Sequence, residues 1–554
     1  MQRALPSMLL CAALVACEPP AAPGPVSTHV DDWRDEVVYQ IVVDRFDDGD
    51  PSNDAIDGVA LDPTDLARMQ GGDWRGIRNR LDYIEALGAT TLWISPPYVN
   101  VPRTEQEDGY HGYWPSDFTE ASERFGGMAE LRALVRDAHE RGMLVILDVV
   151  PNHAGRVFTY DLDADGEVDP GETEPPFSET PYASPLLWSY RPRMWTEEGE
   201  LTLEAEHFHR RGAGDLSDPR QKELADFPSG LRDLDTERED VIAALVETHA
   251  WWVEQTDVDG FRIDAVPHAS REFWAAFCGR LRRRLADIGK HRFLLLGEVF
   301  DASPDVLASY AQLDQLDASF AFDLKREVID GVILEGRPPA GALGALGGYR
   351  DRFPASGQPE GVGLSPWEAR VAFADNHDVW RLRGELDDPL AAEIAMTVVF
   401  TVDAIPSVYY GTEQGLDGTE HHLSREPLWR EAPSFDTTGA AFQHIARLAA
   451  VRARSAALRH GALTVRYAST SGGADEEPAA DAGLLAYERE HEGEVVLVVL
   501  NASIDDSSAT FPTGFAEGER LVDALGQASA PFVVGARGEL TIRLPGRASV
   551  VLTR

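Results

Sequence analysis

Cysteine is nearly missing from this chain, with three in 554 residues. Two of them, Cys11 and Cys17, fall in the first 17 residues, which leaves Cys278 alone in the body of the chain. A lone thiol excludes an intramolecular disulfide, so packing and any bound metal must hold the fold together. Apolar runs of membrane-spanning length are also lacking: the stretch from Met8 to Ala16 is too short to cross a bilayer. Basic residues are few, 50 Lys and Arg against 94 Asp and Glu, for a net charge of -44. Such a surface repels phosphate backbones and anionic lipid, which excludes a nucleic acid partner and favours a neutral substrate or bound cations. Because the charge is spread along the chain, solubility alone explains it equally well. No repeat of solenoid type is present.

What is present begins with Met1, Gln2 and Arg3 and the short apolar core, a pattern that suits a signal peptide. It ends in Leu14-Val15-Ala16-Cys17, which resembles a bacterial lipoprotein processing box. The expectation is a signal segment over 1–17 and a tether over 18–34. The mature chain would be exported as an outer-membrane or cell-surface lipoprotein, touching a membrane only through its lipid anchor. An ordinary cleaved signal, and plain secretion, is the alternative.

From Val37 onward, short β-branched runs alternate with amphipathic stretches. The strand candidates are 37–43, 91–94, 144–149, 260–263, 293–296, 371–373 and 405–409. Helical patterns at 128–141, 241–255 and 271–287 carry apolar residues three and four apart, as helices covering a parallel sheet require. The fold class is therefore α/β, a (β/α)8 TIM barrel formed by 35–153 and 231–457. The segment 154–230, rich in Pro, Gly, Asp and Glu, reads as a subdomain inserted after the third strand. Residues 458–554 are strand-like and read as a C-terminal antiparallel β-sandwich.

Four carboxylates follow strand candidates: Asp148, Asp264, Glu298 and Asp378. In a barrel the C-terminal strand ends converge, so four distant segments can serve one pocket. Glycoside hydrolysis needs two carboxyl groups in different protonation states, one to attack the anomeric carbon and one to protonate the departing oxygen. Arg262, two residues before Asp264 on the same strand face, is expected to hold that Asp ionised. The apolar sequence around Glu298 is expected to raise its pKa towards that of a general acid.

The strings carrying these residues are Asp148-Val-Val-Pro-Asn152-His153, Gly260-Phe-Arg262-Ile-Asp264-Ala-Val-Pro-His268, Gly297-Glu298-Val-Phe and Phe373-Ala-Asp-Asn-His377-Asp378. With Gly109-Tyr-His111-Gly-Tyr113-Trp114, Leu231-Arg-Asp233-Leu-Asp235 and Ile405-Pro-Ser-Val-Tyr-Tyr-Gly-Thr-Glu413, they resemble the α-amylase family, glycoside hydrolase family 13. The resemblance runs from Val38 to about Leu458. It implies a retaining endo-acting α-1,4-glucan hydrolase, monomeric, acting on starch, glycogen or maltooligosaccharides. Asp264 would be the nucleophile, Glu298 the acid/base and Asp378 the third carboxylate gripping sugar hydroxyls. Arg262 would orient Asp264, His111, His153 and His377 would bond the sugar, and Tyr113 would stack on it.

Calcium is the implied cofactor. Asp48, Asp50, Asn53 and Asp54, with Gly71 and Asp73 downstream, cluster hard oxygen donors in a spacing that resembles a calcium loop of some family members. The resemblance implies a second site through Asn152, Asp233 and the backbone carbonyl of His268. A third is read from Asp161, Asp163, Asp165, Glu167, Asp169 and Glu172, which match the twelve-position EF-hand loop with Gly166 in place. Without long flanking helices, it would be an isolated loop, with an acidic turn as the alternative.

Two rival readings stand beside this one. Sibling enzymes such as cyclomaltodextrinase, maltogenic amylase or glucanotransferase share the carboxylates, and Pro267 stands where many members carry a lysine that holds the acceptor-side glucose. A glucan-binding lipoprotein without catalysis is the other, opposed by the intact Asp264, Glu298 and Asp378.

Overall fold

The computed structural model describes residues 24 to 554 apart from positions 57 and 420. The expected signal segment and Cys17 lie outside the described residues. From Ser27 the segment expected as a tether is instead strapped across the bottom of the barrel. Ser27 N donates to Asp257 Oδ1 at 2.9 Å, and Trp33 Nε1 donates to the Arg292 carbonyl at 2.8 Å.

Eight parallel strands form the barrel: β1 (Val38–Ile41), β2 (Thr91–Ile94), β3 (Leu144–Val149), β4 (Gly260–Ile263), β5 (Leu294–Gly297), β6 (Ala318–Ser319), β7 (Val371–Ala372) and β8 (Ile405–Tyr409). β1 pairs with both β2 and β8, and a parallel bridge between Phe320 and Val371 closes the ring. These strands are hydrophobic on both faces because both are covered. Val38, Trp93, Ile146, Leu294, Leu296, Val371 and Ile405 fill the interior. Tyr39, Leu92, Val145, Leu147, Phe261 and Leu295, one residue out of phase, meet the helices outside. Those helices include Gly127–His139, Glu239–Thr256, Arg271–Asp287, Pro389–Thr401 and Ala440–Arg454. The sixth strand, two residues long, is the barrel member that the periodicity did not show.

The insertion is stitched shut where it leaves and re-enters the barrel, since His153–Ala154 pairs antiparallel with Arg232–Asp233. Within it, Phe158–Tyr160 pairs with Leu186–Trp188 and Arg193–Thr196 with Gly199–Thr202, and a short helix spans Pro219–Leu224. Arg232, fully buried, donates to the carbonyls of Phe158 at 2.8 Å and Thr173 at 3.0 Å and pairs with Asp226, so one side chain ties the insertion together.

At the C-terminus a six-stranded antiparallel sheet faces a two-stranded one made of Ser507–Pro512 and Glu539–Leu544. Along the strands Leu484–His491 and Glu494–Asn501, alternate residues point opposite ways. Leu484, Ala486, Leu497 and Val499 meet Phe511, Leu540 and Ile542 inside the sandwich. Leu485, Tyr487, Val496 and Val498 join the core shared with the barrel. The sheet is thus buried on both faces.

Candidate active site

β4 carries Arg262 into the barrel in register with Asp148 on β3. Its guanidinium is the hub of the C-terminal strand ends. Nη1 lies 2.9 Å from Asp148 Oδ1 and 2.7 Å from Asp264 Oδ1, while Nη2 lies 3.1 Å from Glu298 Oε2 and 3.9 Å from Asp378 Oδ2. Asp264 and Glu298 therefore meet on one cation although 34 positions separate them in the chain, from 264 to 298. The main chain fixes both: Asp264 N donates to the Val149 carbonyl at 2.9 Å, and Glu298 N donates to the Ile263 carbonyl at 2.8 Å. Ala265 N donates to Glu298 Oε2 at 3.1 Å.

Four carboxylates around Arg262 outnumber the cations in a buried place. Burial pushes the Asp264 carboxyl well up. Arg262 opposes this, while Glu298, Asp148 and Asp378 add to it. Glu298 is likewise pushed up by burial against the pull of Arg262. Arg262, expected to hold Asp264 ionised, does lie against it at 2.7 Å, but the same guanidinium also serves Asp148, Glu298 and Asp378. At Asp378 burial pushes up too, but His377, Arg425 and Arg262 outweigh it and hold the carboxyl below its ordinary range.

His377 Nε2 lies 2.9 Å from Asp378 Oδ2, and Gln40 Nε2, at the end of β1, lies 2.6 Å from His377 Nδ1. With the amide donating to Nδ1, the ring presents N–H at Nε2 to the carboxylate. Tyr113 stacks on His377 with ring planes 7° apart, and its hydroxyl lies 2.8 Å from Asp148 Oδ2. His111 Nδ1 accepts from Tyr113 N at 3.0 Å, and His153 Nε2 lies 3.2 Å from the Tyr113 carbonyl. Burial holds His153 down at about 3 and keeps His111 well below its ordinary value, so both rings are neutral. Every expected sugar-site residue thus stands within one contact network.

Arg425 belongs to the site and was not expected. Its Nη2 lies 3.1 Å from Asp378 Oδ1, its Nε donates to the His377 carbonyl at 2.9 Å, and its Nη1 donates to the Tyr110 hydroxyl at 3.2 Å. It comes from a loop after β8, where no periodicity or strand end marks it. The carboxylates open into a cavity of about 660 Å³ lined also by Glu107, His422, Lys222, Phe227, Pro267, His268 and Phe300.

The donor sets read as calcium loops differ in how well they suit a cation. In the first, Asp48 Oδ1, Asn53 Oδ1 and Asp54 Oδ1 are buried without a hydrogen-bond partner, as oxygens meant for an ion would be. Burial, with Asp54 and Asp73 close by, pushes Asp48 up to about 6. A Cβ at Gly71 would come within 2.8 Å of Asp54 Oδ1, so the cradle needs glycine there. Asp50 is used elsewhere, bridging Ser52 and Arg75 at 2.6 and 2.8 Å. In the second, Asn152 Oδ1 is free of partners, but Asp233 Oδ2 is taken by His209 Nδ1 at 2.5 Å. That carboxylate is engaged by an imidazole whose other nitrogen lies 3.3 Å from Asp235. In the third, Asp161, Asp163 and Glu172 offer oxygens within 4.8 Å of one another, as do Asp163, Asp165 and Asp169. Asp161 Oδ1 is buried and unpartnered, and Gly166, at φ 83°, turns the loop back so that its N–H meets Asp161 Oδ2 at 3.2 Å. Glu167 is exposed and contributes its N–H to Asp165 at 2.8 Å. The first and third sets fit calcium.

Comparison with known proteins places the chain. An α-amylase of Streptomyces lividans is 30% identical over 562 residues, covering 89% of this chain, which spans 57% of that relative's length. A crystal structure of an Anoxybacillus α-amylase matches with a TM-score of 0.72 at 26% identity, covering 95% of this chain and 99% of that one. A three-domain cyclomaltodextrin glucanotransferase matches with a TM-score of 0.75 at 26% identity, covering 94% and 99%. The model for the C-terminal domain of maltogenic amylase matches 478–550. The model of the α-amylase catalytic domain matches 40–438, a span that holds all four carboxylates and Arg262, and the chain belongs to the α-amylase family, glycoside hydrolase family 13.

Proposed function

We propose that the protein is a retaining endo-acting α-1,4-glucan hydrolase of the α-amylase type, acting on starch, glycogen or maltooligosaccharides. The observation that carries this reading is the sharing of one guanidinium by Asp264 and Glu298, at 2.7 and 3.1 Å, at the floor of an open cavity. In the first step Glu298 gives its proton to the glycosidic oxygen while Asp264 attacks the anomeric carbon. The bond to the leaving sugar breaks and a glycosyl ester forms on Asp264. In the second step Glu298, now a carboxylate, takes a proton from water, which displaces Asp264. Two inversions return the starting configuration. Asp378, ionised between His377 and Arg425, accepts from hydroxyls of the distorted ring, and neutral His111, whose Nδ1 already accepts from Tyr113 N, donates from Nε2 to the same sugar, with His153 beside it fixed by the Tyr113 carbonyl.

Either Asp264→Asn or Glu298→Gln is expected to cut release of reducing ends from soluble starch by about three orders of magnitude or more, with an unchanged circular dichroism spectrum. A variant at near-normal rate would overturn the roles. A glucan-binding protein without catalysis would hold starch and release nothing.

Calcium, held by Asp48, Asn53, Asp54 and the loop 161–172, would supply fixed positive charge that neutralises these carboxylates. The protein acts as a monomer, and its N-terminus directs export with lipidation at Cys17. Cys17→Ser should then move the protein from the membrane fraction to the soluble one, and an unmoved protein would contradict the anchor.

A further inference from the structure

The chain contains three lysines, Lys222, Lys290 and Lys325. Two are clamped. Lys290 Nζ bonds the Ser27 carbonyl at 2.7 Å, Asp257 at 2.8 Å and Asp259 at 3.0 Å. Lys325 Nζ sits against Asp330 and lies 3.1 Å from Glu385. Lys222, in a chain with 94 acidic residues, has no carboxylate or carbonyl on its ammonium among the described residues, and it lines the catalytic cavity.

Its seat is built. The helix Pro219–Leu224 is capped by Asp218, whose side chain accepts from Arg220 N and Gln221 N. The ring of His268, four residues beyond Asp264, bonds the main chain of Lys222. Phe227 packs between His268 and His153 with ring centroids 4.6 and 4.5 Å away. Lys222 is thereby carried by the insertion onto the segment that follows β4.

Glu298 protonates the departing oxygen, so the leaving sugar lies on its side, where Phe300 is 57% exposed. Ala265 N donates to Glu298 Oε2 at 3.1 Å and Val266 N to the Glu298 carbonyl at 3.2 Å, so Pro267 and His268, the next residues, stand beside Glu298; with Phe227 and Phe300 they line the cavity with apolar faces and, at Pro267, a side chain without a donor. The other fixed cation of the cavity, Arg425, is spent on Asp378, His377 and Tyr110. We propose that Lys222 determines specificity for the glucose unit on the leaving-group side, its ammonium donating to that sugar's hydroxyls. It would do the same for an acceptor sugar in the second half of the reaction. There a sugar hydroxyl would attack the anomeric carbon, the ester bond to Asp264 would break, and the hydroxyl proton would pass to Glu298.

This inference rests on the catalytic reading above, and the test separates the two. Lys222→Met and Lys222→Arg are compared with the unaltered protein on maltopentaose, whose leaving group is a sugar, and on 4-nitrophenyl α-maltotrioside, whose leaving group is an aryl oxide. Losing a charge-assisted hydrogen bond should lower kcat/KM on maltopentaose about tenfold or more, mainly through KM, and lower it less than about threefold on the aryl substrate. Transfer products at high maltopentaose should fall relative to hydrolysis, and Lys222→Arg should recover most of both. Equal losses on the two substrates, or an unaltered maltopentaose rate, would overturn the role of Lys222. An unaltered protein inactive on both would overturn the catalytic reading instead.

Discussion

Arg262 touches four carboxylates, and the demands on it set how the site responds to pH. Burial disfavours the charged form of Glu298, so its proton persists above the ordinary 4.5, and activity that needs the protonated acid is lost as pH rises through that raised value. The alkaline limb of kcat/KM should therefore have its midpoint above 4.5, and a midpoint at or below it would contradict the assignment. Arg425 acts at second hand, by aiming Asp378. Arg425→Met should lower kcat/KM by about tenfold to a hundredfold, and a stopped-assay comparison with Arg425→Lys should show only partial rescue, because a lysine cannot bond Asp378, His377 and Tyr110 at once. The expected carboxylates were legible in the sequence because each sits near the end of an apolar run or a few residues past it, and a strand end in a barrel leads to one place. Arg425 and Lys222 were not, since they come from a loop and a short helix whose paths depend on contacts far along the chain.

At the level of elements, a strand buried on both faces leaves a continuous apolar run, which is why β3 and β5 could be read directly. β6 is Ala318–Ser319, with no β-branched or large apolar residue to mark it, whereas β7, equally short, is flagged by Val371 and Phe373; β6 is held by its neighbour β5 and the Phe320–Val371 bridge. The insertion resisted reading for another reason: its hairpins are short and its order comes from Arg232 and from loop carboxylates that bond main-chain N–H groups. The loop 161–172 gathers five acidic side chains in two overlapping sets whose oxygens lie within 4.8 Å of one another, and Asp161 Oδ1 among them is buried without a partner, as an ion's ligand would be. An ion that binds only the folded state adds about 2.7 kcal/mol at a hundredfold excess over its Kd. Chelation should therefore lower the melting temperature, and Asp161→Asn should shrink that response. A melting curve that chelator leaves in place would argue against accessible calcium in this loop.

On the scale of the whole molecule, the seam between barrel and C-terminal sheet holds two neighbouring buried arginines that bond only carbonyls, and Arg489, on the sheet, is the one that crosses it. Arg489 donates to Gly461 O at 2.7 Å and Thr401 O at 2.8 Å and also reaches Val402 O, while Arg452 donates to Leu458 O at 2.8 Å and Arg34 O at 2.9 Å. Tyr487 and Thr401 share a hydroxyl pair at 2.5 Å across the same seam. Arg489→Met strands several buried acceptors, at about 1 to 3 kcal/mol each, and should depress the melting temperature by several degrees and broaden the calorimetric transition. An undisturbed transition would mean that the seam is held by apolar packing alone.

The sheet formed around Leu484–His491 and Glu494–Asn501 has no solvent face to spare. A barrel expressed without it would present an oily wall where Leu485, Tyr487 and Val498 now press, and would clump or demand a substitute. For anyone building chimaeras within this family, the two parts are inherited as a matched set: exchanging one means redesigning the skin of the other.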